Sequence, residues 1–185
     1  MKLDITINFK NGFDAITKKD TKAKGEKDDC VVRAIMNGFD VTYNEAHKIC
    51  EKTFGRVTKK GTQGTYTTLM KMVDGAIPTI NKKQIKYLGS HPKAHGRKTL
   101  LNPLYPITKK EFNDDGEEVK TSTFAGYTIG KFIQHKQKGT FLVLVAGHAL
   151  AVRDGVMLDN TNYDDALLNL QRRDQRRCMH IFRIK

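Results

Sequence analysis

The segment from Thr140 to Asn160 constrains the fold of this 185-residue chain more than any other part of it. It holds three short runs, TFLVLVAG, HALAVR and VMLDN, that are rich in apolar and β-branched residues. The first run is apolar throughout, which is typical of a central strand. Asp154-Gly155 separates the second run from the third, and this dipeptide favours the left-handed backbone of a two-residue hairpin turn. The segment therefore predicts three consecutive antiparallel strands.

Four helical patterns lie in the chain before these strands. DDCVVRAIMNGF, TYNEAHKICEKTFG, GTYTTLMKMVDG and TIGKFIQHKQKG each place apolar residues at helical spacing. The second of them starts with a capping box, Thr42 with Glu45, and is closed by Gly55. Additional strands are predicted at KLDITINF, near residues 84–88 and at CMHIFRIK. Helices followed by an antiparallel sheet indicate the α+β class.

The first helix has its own end signals. Asp28 or Asp29 can cap it, because a carboxylate accepts hydrogen bonds from the free N–H groups of a first turn. Asn37-Gly38 is expected to end it.

The length of the chain suits one domain, residues 1–185. Residues 1–27 are expected to form a strand and a basic arm. Residues 89–122 contain three of the four prolines and are expected to be an irregular insertion, in which Asp115-Gly116 could turn a hairpin.

The chain is strongly basic, with 33 Lys and Arg against 20 Asp and Glu and a formal net charge of +13. Such a charge attracts polyanions and acidic proteins over long range. A nucleic acid or an acidic protein partner therefore stays open, beside the simpler interpretation of a solvated basic surface. The sequence shows neither an apolar run of membrane-spanning length nor a secretory signal, which predicts a cytoplasmic protein with no membrane partner.

The spacing of potential ligands predicts neither a metal nor a cofactor. Cys30, Cys50 and Cys178 are too widely spaced for a zinc site or a disulfide framework and are expected to be free thiols. The segment GTQGT matches no phosphate-binding or dinucleotide pattern. Four histidines have no carboxylate or cysteine at ligand spacing, namely His91, His95, His135 and His180.

Cys30 stands at the predicted amino end of a helix, where unpaired N–H groups stabilise a thiolate. Such a nucleophile needs a base, usually a histidine whose second ring nitrogen is held by an acceptor. With a turn at Asp154-Gly155, opposed residues of the hairpin have numbers that sum to about 309. His148 then lies diagonally across from Asp159. These three side chains form a candidate nucleophile, base and orienting acid.

DDCVVRAI at a helix start, followed much later by GTFLVLVAGHALAVRDGVMLDN, resembles the papain-like cysteine peptidases. The chain is most similar to the compact forms of bacteriophages and of bacteriocin-processing peptidases, over residues 26–75 and 126–162. The resemblance implies a papain-like α+β domain in which N-terminal helices pack on a C-terminal antiparallel sheet. It also implies a phage origin and a host cytoplasmic location.

The resemblance assigns a role to each candidate. Cys30 would be the nucleophile, His148 the general base and acid, and Asp159 the residue that orients His148. The implied activity is a cysteine hydrolase, a peptidase or isopeptidase that cleaves amide bonds of a protein or peptide through a thioester. The same machinery serves acyl transfer and glutamine deamidation.

The oxyanion of that reaction would be held partly by the backbone N–H of Cys30. Papain-like peptidases add a Gln several residues earlier, but the eight residues before this cysteine read KAKGEKDD. Asp29, Lys24 and Gln63 are alternatives for that place, and a bulge could bring Asn160 into the site. Since a carboxylate beside an oxyanion is unfavourable, Asp29 fits a helix cap better.

Each candidate also has an ordinary interpretation. Cys30 is compatible with a small buried residue, His148 with a core histidine and Asp159 with a strand end. The alternative function is a catalytically inert papain-like fold that acts as a basic binding protein for nucleic acid or an acidic host protein.

Overall fold

Three α-helices and eight strands make up the part of the chain that the structure, a computed structural model, describes, which is residues 8–11, 19–26, 28–62, 79–80, 82–90, 104–136, 138–159 and 176–185. The helices are α1 (Cys30–Phe39), α2 (Tyr43–Phe54) and α3 (Ile129–His135), with a 3-10 turn at Thr21–Ala23. The strands are β1 (Asn8–Asn11), β2 (Ile85–Ser90), β3 (Leu104–Phe112), β4 (Glu118–Gly126), β5 (Thr140–Val145), β6 (His148–Arg153), β7 (Val156–Asp159) and β8 (His180–Ile184).

Six of these strands form one sheet in the order β1-β7-β6-β5-β8-β2. Five of them are antiparallel to their neighbours, and β1 runs parallel to β7. β5 lies between β6 and β8, as expected for an apolar run. The α+β class is confirmed, and so is the central place of TFLVLVAG.

The β6-β7 turn has the register that its dipeptide predicts. Ala151 pairs with Leu158, so opposed residues sum to 309. Asp154 and Gly155 have φ values of +48° and +76°, the left-handed pair that a two-residue hairpin requires. Asp154 does more than turn the chain, because its carboxylate accepts a hydrogen bond from the backbone N–H of Gly139 at 2.9 Å.

Apolar side chains cover both faces of this sheet. α1 and α2 pack on one face against residues such as Leu142 and Phe182. α3 packs on the other face, where Phe132 meets Phe141 edge to face with ring centroids 5.0 Å apart. Full burial of one such side chain contributes about 1.5–3 kcal/mol. The sheet is therefore the middle layer of the described structure.

Helix α1 continues past the expected stop. Gly38 lies inside the helix, which ends at Phe39 and is followed by Asp40 in the left-handed conformation. A Cβ at Gly38 would lie 2.7 Å from Cδ1 of Ile184 and 2.9 Å from Cδ2 of Leu142. The glycine therefore lets α1 approach the sheet closely, and the prediction that Asn37-Gly38 ends the helix is wrong.

The prediction of an irregular insertion over residues 89–122 is also wrong where the structure describes it. β3 and β4 form a two-stranded hairpin of nine-residue strands. Its turn contains Asp115-Gly116, as anticipated, with Gly116 at a φ of +79°. Pro106 and dense charge hid the strands, but an isolated ribbon has no inner strand whose ladder a proline would break.

Other boundaries shift or lie outside the described residues. α3 ends at His135, before Gly139, and Lys10 belongs to β1 rather than to the basic arm. The capping box of α2 is present, with Thr42 accepting from the N–H of Glu45. The helix expected over 64–75 is outside the described part. Among the described helices, none has the length and apolar character needed to cross a membrane.

Gly38→Ala is expected to lower the free energy of unfolding by about 1 kcal/mol, because the new methyl group overlaps Ile184 and Leu142. Helix propensity alone would change it by about the same amount in the opposite direction. Ile184→Val removes the Cδ1 atom that the methyl group meets first. Urea unfolding of the wild type, both single variants and the double variant measures the effect.

The double variant should be more stable than the sum of the single changes by about 0.5 kcal/mol or more. Strict additivity, or a stabilising Gly38→Ala, would contradict the close seating of α1.

Candidate active site

Cys30 is the first residue of α1 and is half-buried. Its neighbours in the helix, Val32 and Ile35, are fully buried against the sheet and fix the helix direction. The thiol of Cys30 therefore lies at the amino end of α1, where free N–H groups stabilise negative charge. This is the position that the sequence predicted.

His148 and Asp159 meet across the β6-β7 hairpin. His148 is the first residue of β6 and Asp159 the last residue of β7. Nε2 of His148 lies 2.6 Å from Oδ1 of Asp159, and the Asp159 residue is only 3% exposed. The diagonal contact follows from the register. Opposed residues sum to 309, whereas these two sum to 307, so their side chains lie on the same face of the hairpin with an offset of two residues.

The imidazole of His148 bridges the carboxylate and the thiol. Burial by itself would lower the pKa of His148, but the hydrogen bonds to Asp159 and to Cys30 outweigh it and raise the pKa to about 9. Because Asp159 engages Nε2, Nδ1 is the ring nitrogen that remains for Cys30. At neutral pH the ring carries its proton, and an imidazolium beside a thiol stabilises the thiolate.

The other two cysteines lie in a different environment. Cys50 and Cys178 are fully buried, as expected for core thiols. Burial raises the pKa of Cys50 to about 12 and also raises the pKa of Cys178. Cys30 is thus the one of the three cysteines that combines partial exposure with a histidine partner.

Asp29 holds the N-cap position of α1 but does not cap it, and the predicted cap is wrong in this respect. Its Oδ2 accepts hydrogen bonds from Nε of Arg33 and from the hydroxyl of Tyr43, each at 2.8 Å. Asp28 has a φ of +50°, is exposed and lies outside the helix. The side chains of Arg33 in α1 and Tyr43 in α2 therefore compete successfully with the free N–H groups of the first turn.

The same contacts bear on the expected oxyanion donor. An ionised carboxylate only accepts hydrogen bonds, so Asp29, which is bound to Arg33, is unsuited to the task. Lys24 is exposed at the end of the 3-10 turn. Gln63 and Asn160 lie outside the described residues. The backbone N–H groups that begin α1 remain the donors that the described part offers.

A buried charged network, not anticipated from the sequence, precedes Cys30. Glu26 and Arg56 form an ion pair at 2.5 Å, with both side chains fully buried. Burial by itself would raise the pKa of Glu26, but the Arg56 hydrogen bond and a backbone N–H bond from Lys59 lower it. Arg56 also donates to the carbonyl of Asp28 at 3.2 Å and to Thr62 at 3.1 Å. These bonds fix the segment that leads into Cys30.

His47 extends this network along α2. Its Nε2 lies 3.3 Å from Glu26 and its Nδ1 lies 3.3 Å from Glu51, which in turn pairs with Lys22 at 2.7 Å. His47 is fully buried and packs inside this network. No local pattern could reveal these contacts, because the partners are up to 33 positions apart.

The described residues contain no group of three or more His, Cys, Asp or Glu side chains placed to hold a metal ion. Buried His180 instead contacts the hydroxyl of Tyr87 through Nδ1, at 3.2 Å.

Comparisons of the chain with protein-family models, with curated proteins and with solved structures find no match. The function therefore has to be argued from the geometry of the site.

In an NMR titration the ring of His148 is expected to keep its proton until about pH 9. An unperturbed histidine loses its proton near a pKa of about 6.5. Asp159→Asn and Cys30→Ala should each move the transition toward that ordinary value, because each removes a hydrogen bond that favours the charged ring. His148→Ala identifies the resonance.

The circular dichroism spectrum, which should be the same in all variants, is the control for folding. A wild-type His148 that titrates near the ordinary value, or one that ignores both substitutions, would contradict the bridging geometry.

Proposed function

We propose that the protein is a cysteine hydrolase with a papain-like fold, which cleaves amide bonds through Cys30, His148 and Asp159. One observation carries the proposal: the imidazole of His148 is hydrogen-bonded to a buried carboxylate and lies near enough to a half-buried thiol at a helix start for that thiol to raise its pKa. The arrangement of helices on a mainly antiparallel sheet supports the papain-like assignment. A structural histidine needs only one of these two partners.

Acylation starts from the thiolate of Cys30 and the imidazolium of His148. The sulfur attacks the carbonyl carbon of the substrate, so that a C–S bond forms and the carbonyl electrons move to oxygen. When the tetrahedral intermediate collapses, the C–N bond breaks and His148 gives its proton to the leaving amine. The pKa of about 9 keeps this proton on His148 at neutral pH.

Deacylation reverses these roles with water in place of the amine. Neutral His148 takes a proton from the water that attacks the thioester, and the C–S bond breaks to release a carboxylic acid. Asp159 keeps Nε2 engaged throughout and stabilises the charged ring. The N–H groups at the start of α1 are placed to receive the negative carbonyl oxygen in both steps.

The charge of the protein suggests its substrate. A chain of formal net charge +13 attracts acidic partners, so an acidic protein or peptide is the favoured substrate class. Hydrolysis of a peptide bond, hydrolysis of an isopeptide bond, acyl transfer and deamidation use the same first step and differ in the amide attacked or in the second nucleophile.

Iodoacetamide should label Cys30 readily at about pH 6, where an ordinary thiol is almost entirely protonated. His148→Ala should slow this labelling by about tenfold or more, and Asp159→Asn by less, because the first removes the partner of the thiolate and the second only weakens it. Peptide mapping with mass spectrometry measures the rate at each cysteine.

Cys50 and Cys178 serve as controls in the same digest, since both are buried and should be labelled only after unfolding. Circular dichroism checks that each variant is folded. Equal labelling rates of Cys30 in wild type and in His148→Ala would contradict the proposal.

A second candidate is the binding of nucleic acid without catalysis. Lys86 and Arg183 are exposed and pair directly across β2 and β8, although like charges at opposed positions are unfavourable. Neither forms an ion pair within the described part of the chain. An external anion such as a phosphate would relieve this repulsion.

Fluorescence anisotropy with labelled single-stranded DNA tests the binding candidate. Binding that falls steeply with salt and weakens about tenfold in Lys86→Glu/Arg183→Glu would support it. Lys48→Glu/Lys52→Glu, on exposed positions of α2, is the matched control. Absence of binding at low salt would exclude this candidate.

A further inference from the structure

The carboxylate of Asp29 lies one residue before the nucleophile, yet it accepts no hydrogen bond from the backbone N–H groups of the helix that it precedes. An N-cap carboxylate ordinarily accepts hydrogen bonds from the N–H groups of the first turn. Here Oδ2 of Asp29 accepts from Nε of Arg33 and from the hydroxyl of Tyr43, and the side chain makes no cap bond. The carboxylate is held by one side chain of α1 and one of α2, and it makes no bond to the N–H groups beside Cys30.

Stability alone does not explain this cluster. Asp29 is 8% exposed, Arg33 7% and Tyr43 0%, so two charges are taken out of water. Buried ion pairs of this kind are often no more stabilising than apolar side chains of the same size. The guanidinium of Arg33 also lies over the ring of Tyr43, 5.5 Å from its centroid, which fixes its orientation. The three side chains therefore hold one another in a fixed arrangement.

Tyr43 is suited to be a permanent donor. Burial and the contact with Asp29 raise its pKa well above the ordinary range, so the hydroxyl keeps its proton whenever the protein is folded. Arg33 is charged at every accessible pH. Both partners therefore hold the carboxylate under all conditions in which the site works.

We propose that Arg33 and Tyr43 are positioning residues that keep the Asp29 carboxylate off the amino end of α1, so that the N–H groups there stay available for the negative charges of the reaction. The inference rests on the proposed function. Negative charge develops on the sulfur of Cys30 and on the substrate oxygen, both near this helix end. A capping carboxylate would repel both charges and occupy their donors.

The other groups that face Cys30 do not compete for this role. His148 approaches from β6 and brings the charge of Asp159 only through its ring. Cys50 approaches from α2, and burial raises its pKa to about 12, so it stays neutral. Asp28 is exposed to solvent. Asp29 is the buried anion at the start of α1 whose direction can change the reactivity of the thiol.

Iodoacetamide labelling of Cys30 as a function of pH tests the inference without a substrate. Arg33→Met should slow labelling at about pH 6 by about tenfold, and Tyr43→Phe by about threefold, because the released carboxylate swings onto the helix end. Adding Asp29→Asn to either variant should restore the rate to within about twofold of wild type, because the competing charge is gone. Lys110→Met is the control, since it breaks an ion pair of the β3-β4 hairpin and does not touch Asp29.

Each outcome decides the matter. If Arg33→Met fails to fold, the smaller Tyr43→Phe change and its double variant carry the test. Labelling that ignores Tyr43→Phe, or that slows without rescue by Asp29→Asn, overturns the positioning role and leaves the proposed function standing. A wild-type Cys30 that reacts no faster than an ordinary thiol overturns the proposed function and this inference together.

Discussion

The seating of α1 on the central strands is the constraint on which the candidate site depends. Gly38 at one end has no side chain, and the space of its missing Cβ is filled by Ile184 and Leu142. Cys30 at the other end meets His148, which belongs to the same sheet. Ten helical residues span about 15 Å, so the helix acts as a rigid rod between these two points. A side chain at position 38 that pushed this end of α1 away from the sheet would therefore move the sulfur of Cys30 relative to the imidazole of His148.

Local patterns predicted much of this architecture because the relevant contacts are local. The turn at Asp154-Gly155 sets the register of β6 and β7, and that register brings His148 to Asp159. The position of Cys30 at a helix start follows from the apolar spacing that comes after it. In this region sequence neighbours are also neighbours in space, so chain order translates directly into geometry.

Several of the misses share a physical cause, which is competition from other partners in the fold. Asp29 has the right position for a cap, but buried Arg33 and Tyr43 offer its carboxylate stronger partners. Glu26 and Arg56 find each other across 30 positions of sequence. Gly38 is typical of a helix end, but here it lies inside α1 and lets the helix contact the sheet. Each case is a tertiary contact that overrides a local preference.

The residues of the candidate site lie at very different separations along the sequence. His148 and Asp159 are joined by a hairpin of 12 residues and can pair as soon as that hairpin has been synthesised. Cys30 lies in an earlier unit and joins them only when α1 docks, a non-local step that is intrinsically slower. A ribosome-bound chain that has not reached β6 consequently carries an unpartnered thiol. The pairing that the proposed function requires therefore forms only after β6 and β7 have been made, so a partly synthesised chain lacks the base that would activate its thiol.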